Sequence, residues 1–362
     1  MRPGDTVARL GGDEFTALLE GIGSEVDATR VAERIQEELS LPFLVQGQEV
    51  FSSVSLGIAL SSSHYERPED MLRDADTAMY RAKADGRARH QIFDADMHRR
   101  AISLLRLESD LRRAIGRREI LAYYQPVVDL ATGRLRGFEA LARWKHSTRG
   151  LVLPDVFIPL AEETGLISGI GECMLVEACM QMRHWQRLYP RSPPLSISVN
   201  VSTRQLAFAS FPDQVERICR DCGLDPTSLT LEITESALMQ NLNTSAAVIQ
   251  SLHNLGVRLH IDDFDTGYSS LSYLHTFPID ALKVDKSFVS RMESSPSQAE
   301  IVRAIVSLAH NLGMSVTAEG VETRAQLDTL RALRCTSVQG FFISPPLPAA
   351  DAEHLIVRDL LL

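Results

Sequence analysis

The sequence predicts an α/β protein in two parts: a closed barrel of mostly parallel strands, preceded by a smaller α/β unit. Beyond about residue 119, short apolar strands ("LSISVN", "LTLEIT", "VRLHID", "ALKVD", "SVTAE") alternate with amphipathic helices, the pattern of a parallel sheet. Asn200, Glu232, Asp262, Lys283, Glu319 and Gln339 each fall at the C-terminal end of such a strand. A closed barrel brings all these ends to one face, where the following loops build a site. A doubly wound open sheet is the alternative, but it gathers its site at one switch point rather than from nearly every strand. The length, 362 residues, suits two domains or one large barrel with an attachment.

Taken in order, residues 7–19 read as a β-hairpin, because Gly11-Gly12 supplies the positive φ of a tight turn between apolar-rich flanks. A helix follows a Ser24 cap, with Val31, Ile35 and Leu39 on one face and Pro42 closing it. Val54, Leu56, Ile58 and Leu60 alternate as in a half-buried strand. A second helix is expected from about Pro68 to Gly86, with Met71, Leu72, Ala75, Met79 and Ala82 on its apolar face. Residues 94–118 read as a charged helical connector striped by Leu104, Leu107, Leu111 and Ile115. The expected division is therefore 1–93, a connector at 94–118, and a barrel over 119–362.

Composition narrows the chemistry. A net charge of −10 disfavours nucleic acid and anionic membrane surfaces, which both require clustered Lys and Arg. No signal peptide opens the sequence and no run approaches a membrane span, so a soluble, cytoplasmic chain is expected, with a membrane tether confined to any region upstream. Five cysteines spread over this length do not make a secreted disulfide framework. Cys219 and Cys222 form a CxxC without a second pair, and read as helix-face thiols rather than zinc ligands.

Glu139, Glu232, Asp262, Asp263 and Glu319 place up to five carboxylates around one pocket of an acidic protein, and such a cluster needs cations. Oxygen-rich sites select Mg²⁺ or Mn²⁺, and the Asn200 amide adds a neutral oxygen. Adjacent Asp262 and Asp263 cannot both obey strand alternation, so the first is expected to bridge two ions and the second to ligate one. Paired metals about 3.5 to 4 Å apart clamp the attacking and leaving oxygens of a phosphoryl displacement, and Lys283 adds a compact charge beside them. One acidic strand end is ordinarily a helix cap or a solvated loop residue. Five around one barrel mouth point instead to metal-assisted phosphoester hydrolysis.

Eight motifs then carry a resemblance: "YYQPVVDLATGRLRGFEALARW", "FIPLAEETGLI", "SVNVS", "LEITES", "IDDFDTGYSSL", "LKVDKSFV", "AEGVET" and "QGFFISPPLP". In order and spacing, over roughly residues 105–355, they resemble EAL-domain cyclic di-GMP phosphodiesterases. The resemblance implies a variant TIM (β/α)8 barrel with one antiparallel strand, matching the hairpin signal around Gly133. It implies that Glu139, Asn200, Glu232 and Asp262 bind one metal and that Asp262 and Asp263 serve the second, with Mg²⁺ or Mn²⁺ as the two ions per barrel. It implies Glu319 as general base, with Lys283 steadying the water. Gln125, Leu141, Arg143, Asp285 and Gln339 are implied to meet or frame the dinucleotide, while Glu235 and Glu322 hold the surrounding loops. The product would be linear pGpG. One departure stands out: Asp265 replaces the family's usual Gly in "DDFDTG", in a loop the family links to metal loading and to dimerisation, so a homodimer through the barrel is expected and retuned activity with it.

"RLGGDEF", "SSVSLGIAL" and "DTAMYRAKADGRARHQIF" resemble the later part of a GGDEF diguanylate cyclase domain, with Ala88 where Asn is common. That resemblance implies a partial α/β cyclase unit whose first strand would lie before Met1, so cyclase activity is not expected. Arg2 and Asp5 match its RxxD inhibitory site, and GTP is the ligand such a remnant would take. Two further readings stay open: a noncatalytic cyclic di-GMP receptor, and a barrel regulated by GTP at the first unit.

Overall fold

A computed structural model of the chain describes residues 4–45, 48–61, 65–239, 242–264 and 277–358. Arg2 and Asp265 lie outside them. The chain divides into two compact units, Met1–Leu107 and Glu108–Leu362.

In the first unit, β1 (Thr6–Gly11) and β2 (Glu14–Leu18) pair antiparallel around the Gly12-Asp13 turn, where Gly12 has φ +52°. The helix Glu25–Ser40 is capped by Ser24, whose hydroxyl accepts from Asp27 N at 3.3 Å. β3 (Phe43–Val45) pairs with β4 (Gln48–Val50), and β5 (Leu56–Ile58) lies parallel to β6 (His90–Ile92) across the helix Pro68–Ala84. Ala78 and Ala82 are the apolar residues buried on that helix, whereas Leu72 is exposed although the expected stripe includes it. Asp5 precedes β1.

The helix Ala95–Arg117 leads into the second unit. Leu107, Leu111 and Ala114 are buried on it, while Leu104 of the expected stripe is exposed. β7 (Ile120–Asp129) and β8 (Leu135–His146) form an antiparallel hairpin, and Gly133 in its turn has φ +72°, a left-handed backbone that favours glycine. β9 (Gly150–Val152) extends β8. Parallel strands follow: β10 (Ser196–Val201), β11 (Leu229–Thr234), β12 (Arg258–Phe264), β13 (Ala281–Val284), β14 (Ser315–Ala318) and β15 (Ser337–Val338). β15 pairs antiparallel with β7, and β10 pairs parallel with β8, so eight strands close into a ring with one strand reversed. The open-sheet alternative is thereby excluded.

Closure depends on Gly137. A Cβ there would stand 2.1 Å from Ser196 O on β10, so only glycine lets β8 and β10 approach at this seam. The apolar core lies outside the ring. Strand residues such as Ile197, Val199, Leu231, Ile233 and Leu259 are buried on outward positions beneath the helices. The long helix Ile167–Leu188 brings Trp185 onto Tyr124 and Phe138, each with ring centroids 4.9 Å away. Aromatic clusters of this kind bury large apolar areas and add edge-on stabilisation. Because the outward faces supply the core, the inward faces are free to be polar.

Candidate active site

Strand alternation sets which residues enter the lumen. With a period of two, Ser198 and Asn200 share one face of β10, Thr230 and Glu232 share one of β11, and His260 and Asp262 share one of β12. Parallel register aligns Asn200 with Glu232, and Thr234 with Asp262, while the β7–β8 hairpin sets Gln125 opposite Glu139. Glu319 and Gln339 stand one residue beyond β14 and β15.

Lys283 is the centre of this layer. Its side chain is 1% exposed, and its Nζ lies 2.6 Å from Glu232 Oε2, 3.2 Å from Asp262 Oδ1 and 3.5 Å from Glu139 Oε2, and also pairs with Glu319 Oε1. Around Glu139 the polar contacts continue: Asn200 Nδ2 donates to Oε1 at 2.8 Å, and Gln339 Nε2 donates to Oε2 at 2.6 Å. Gln339 also donates to Glu319 Oε1 at 3.4 Å, and its own Oε1 is buried without a partner among the described residues.

Electrostatics follow from four carboxylates sharing one ammonium. Burial opposes the charge on Lys283, but Asp262, Glu139, Glu232 and Glu319 together outweigh it and hold its pKa well above the usual lysine range. Burial and the neighbouring Glu139 push Glu232 well above the carboxylate range. Burial likewise raises Glu319 to about 8 against the opposing pull of Lys283. Glu139 is lowered: burial works against its charge, yet Lys283 and the hydrogen bonds from Gln339 and Asn200 prevail. Fully ionised, four carboxylates and one ammonium would sum to −3, and the raised pKa values of Glu232 and Glu319 express the cost of that charge, which added cations would relieve.

Asp262 and Asp263 show how two successive acids can serve one mouth. The pairing of β12 with β13 shifts register between Ile261 and Phe264, and Asp263 takes a left-handed φ of +53°. This kink breaks the alternation, as bulges beside active sites do. Asp263 N donates to Asp262 Oδ1 at 3.0 Å, and the Asp263 side chain is exposed at the rim.

The other sequence-derived residues are distributed around this centre. Gln125 is buried and donates to Ser344 O at 3.2 Å. Leu141 and Arg143 continue the Glu139 face of β8 toward the mouth. The Arg143 guanidinium lies 5.6 Å from the Tyr123 ring centroid and donates to Ala142 O at 2.8 Å. Asp285 caps the helix Lys286–Arg291 by accepting from Ser287 N at 2.9 Å, and its charge acts on Asp263 at the rim. Glu235 opens the short helix Glu235–Met239. The exposed Glu322 donates its backbone N–H to Gln326 Oε1 at 2.8 Å. Among the described residues no three Asp, Glu, His or Cys side chains form a ready-made metal cluster, and the ammonium of Lys283 holds the point on which four carboxylates converge. Sequence reasoning missed Tyr123, although it lies two residues before Gln125 on one strand face, and missed the polar lumen below the ring. No helix among the described residues is long and apolar enough to cross a membrane.

The family model described as EAL domain matches residues 108–346, and that described as Diguanylate cyclase, GGDEF domain, matches residues 1–89. The bifunctional diguanylate cyclase/cyclic di-GMP phosphodiesterase MucR of Pseudomonas aeruginosa is 42% identical over 349 residues, covering 96% of this chain and 50% of that protein. The cyclic di-GMP phosphodiesterase PdeR of Escherichia coli is 38% identical over 354 residues, 98% of this chain and 53% of its own length. The chain thus spans about half the length of these curated relatives. Among solved structures, the PaMucR phosphodiesterase in complex with c-di-GMP is 43% identical with a TM-score of 0.65, over 69% of this chain and 99% of that one.

Proposed function

Because the chain belongs to the EAL domain family, with a GGDEF-domain segment ahead of the barrel, we propose that the barrel hydrolyses cyclic di-GMP to linear pGpG. The observation that carries this reading is the buried ring of Glu139, Glu232, Asp262 and Glu319 around Lys283 at the C-terminal mouth.

EAL phosphodiesterases depend on divalent metal, and the donor set here fits a hard cation. Lys283 stands in as the cation on which the carboxylates converge, and their residual negative charge leaves room for more positive charge. Glu139, Asn200, Glu232 and Asp262 would hold one ion and Asp262 with Asp263 a second, Mg²⁺ or Mn²⁺. Bound there, such ions supply positive charge to phosphoryl oxygens and acidify water.

The residues do the rest. Lys283 Nζ and Gln339 Nε2 both hold Glu319 Oε1, which leaves Oε2 to take the proton of the attacking water. Oxygen adds to phosphorus, the bond to the 3′-oxygen breaks, and that oxygen takes a proton from solvent, so a 5′-phosphate and a free 3′-hydroxyl result. Arg143, steadied over Tyr123, supplies a forked donor for a phosphate at the mouth. Gln125, Leu141 and Asp285 frame the nucleotide, and Glu235 and Glu322 support the adjoining loops.

The test is incubation of the purified chain with cyclic di-GMP and Mg²⁺ or Mn²⁺, with products separated by chromatography. We expect pGpG, no turnover with chelator, and a loss of about 10²- to 10⁴-fold in Glu319→Gln with ligand binding retained. Tight binding without turnover under both metals would favour the receptor reading instead.

A further inference from the structure

Below the acidic ring the lumen changes sign. Two residues before Asn200, Glu232, Asp262 and Glu319 stand Ser198, Thr230, His260 and Thr317, and Arg258 lies four residues before Asp262. At about 3.3 Å per residue this places them roughly 7 to 13 Å deeper along the strands. Barrel interiors are usually filled by bulky branched side chains. Here the small hydroxylated residues leave a cavity of about 20 Å³, lined by these four residues together with Arg136 and Arg258. Such a volume holds one particle of about water size.

The charges facing that cavity are unbalanced. Arg136 Nη1 donates to Ser337 Oγ at 3.2 Å, and among the described residues neither Arg136 nor Arg258 has a carboxylate partner. The nearby acids make no direct ion pair with either arginine: Asp129 Oδ1 accepts from Thr132 N and Oγ1 at 2.8 Å and acts on Arg136 only through space, and Asp280 Oδ2 accepts from Leu259 N at 2.8 Å. Burial and then the proximity of Arg258 lower the pKa of Arg136, and the charge of Asp129 offsets this only in part.

We propose that this cavity is an anion site, in which a chloride-sized inorganic anion sits between the Arg136 and Arg258 guanidiniums and takes hydrogen bonds from the surrounding hydroxyls. A water molecule fills the same volume but leaves the two cations unscreened. An anion cancels their repulsion and ties β8 to β12 at the closed end of the barrel. The site is independent of hydrolysis at the opposite mouth, so its test does not read turnover.

The whole chain is unfolded by heat at constant ionic strength while sodium gluconate is replaced stepwise by sodium chloride or bromide. We expect a saturable rise in melting temperature of about 2 to 4 °C, absent in Arg258→Gln and Arg136→Gln. Bromide-soaked crystals are expected to show an anomalous peak between the two guanidiniums. A rise that never saturates and is equal in the variants overturns the proposal, as does a crystal with only water in the cavity. If Arg258→Gln does not fold, Arg136→Gln and the bromide peak decide.

Discussion

At its C-terminal end the barrel lumen crowds four carboxylates around one lysine, whereas deeper on the same strands it presents hydroxyls, a histidine and two arginines. Except for Arg136, which stands where the β7–β8 register shifts, both sets occupy the same inward positions of a period-two pattern, so the backbone treats them alike. The difference lies in which charge is left over. The upper end holds excess negative charge, suited to cations that meet phosphate, and the lower end holds excess positive charge. An interior this polar is possible because the outward strand faces and the helices supply the apolar core. Stability and chemistry therefore sit on opposite faces of the same strands.

The largest expected effect comes from removing the ammonium on which the carboxylates of the upper end converge. In chelator-treated protein, Lys283→Met leaves buried carboxylates without their counter-charge, and breaking a buried pair by deleting one partner costs about 3 to 5 kcal/mol. Urea unfolding should show this loss, and Mg²⁺ or Mn²⁺ should restore part of it. An unchanged unfolding midpoint without metal would mean that the ring does not rely on Lys283, and the contrast between the ends would lose its basis.

A smaller effect is expected at the seam near the lower end. In Gly137→Ala the new methyl meets Ser196 O at 2.1 Å and Ser196 Oγ at 2.6 Å, so β8 and β10 must separate. Overpacking of this kind costs about 1 to 3 kcal/mol. Denaturant midpoints measure it directly. No shift would show that the seam is loose, and that the narrowness of the lower cavity is not set by this glycine.

The sequence made the upper end legible and left the lower end unread, for a physical reason. Carboxylates at successive strand ends are costly to gather, so Glu139, Glu232, Asp262 and Glu319 stand out wherever a barrel is expected. Ser198, Thr230 and Thr317 do not, because a polar residue alternating with apolar ones reads equally as a solvent-facing strand position. Only closure of the ring turns that face into a lumen. The antiparallel β7–β8 hairpin was foreseeable from Gly133 between two alternating runs. The left-handed turn at Asp263 was not, since no neighbouring glycine or proline marks it. In the first unit Leu72 fits a helical stripe yet is exposed, because periodicity identifies a face without identifying what that face packs against.

The smallest expected effect compares the arginines of the two ends. Arg143 at the upper mouth is held by the Tyr123 ring at 5.6 Å and by Ala142 O, whereas Arg258 below has no hydrogen bond or ion pair among the described residues. If Arg143 meets substrate phosphate, Tyr123 pre-positions its guanidinium, and Tyr123→Leu removes an interaction worth about 0.5 to 1 kcal/mol. That corresponds to a roughly two- to fivefold rise in KM for cyclic di-GMP. The value of kcat should hold, since neither side chain contacts the ring around Lys283. Steady-state kinetics separate the two parameters. A fall in kcat beyond about tenfold would tie Arg143 to the chemical step rather than to binding. The upper end would then act as one coupled network reaching from Lys283 to the mouth, unlike the lower end, where the two arginines share no partner but the cavity between them.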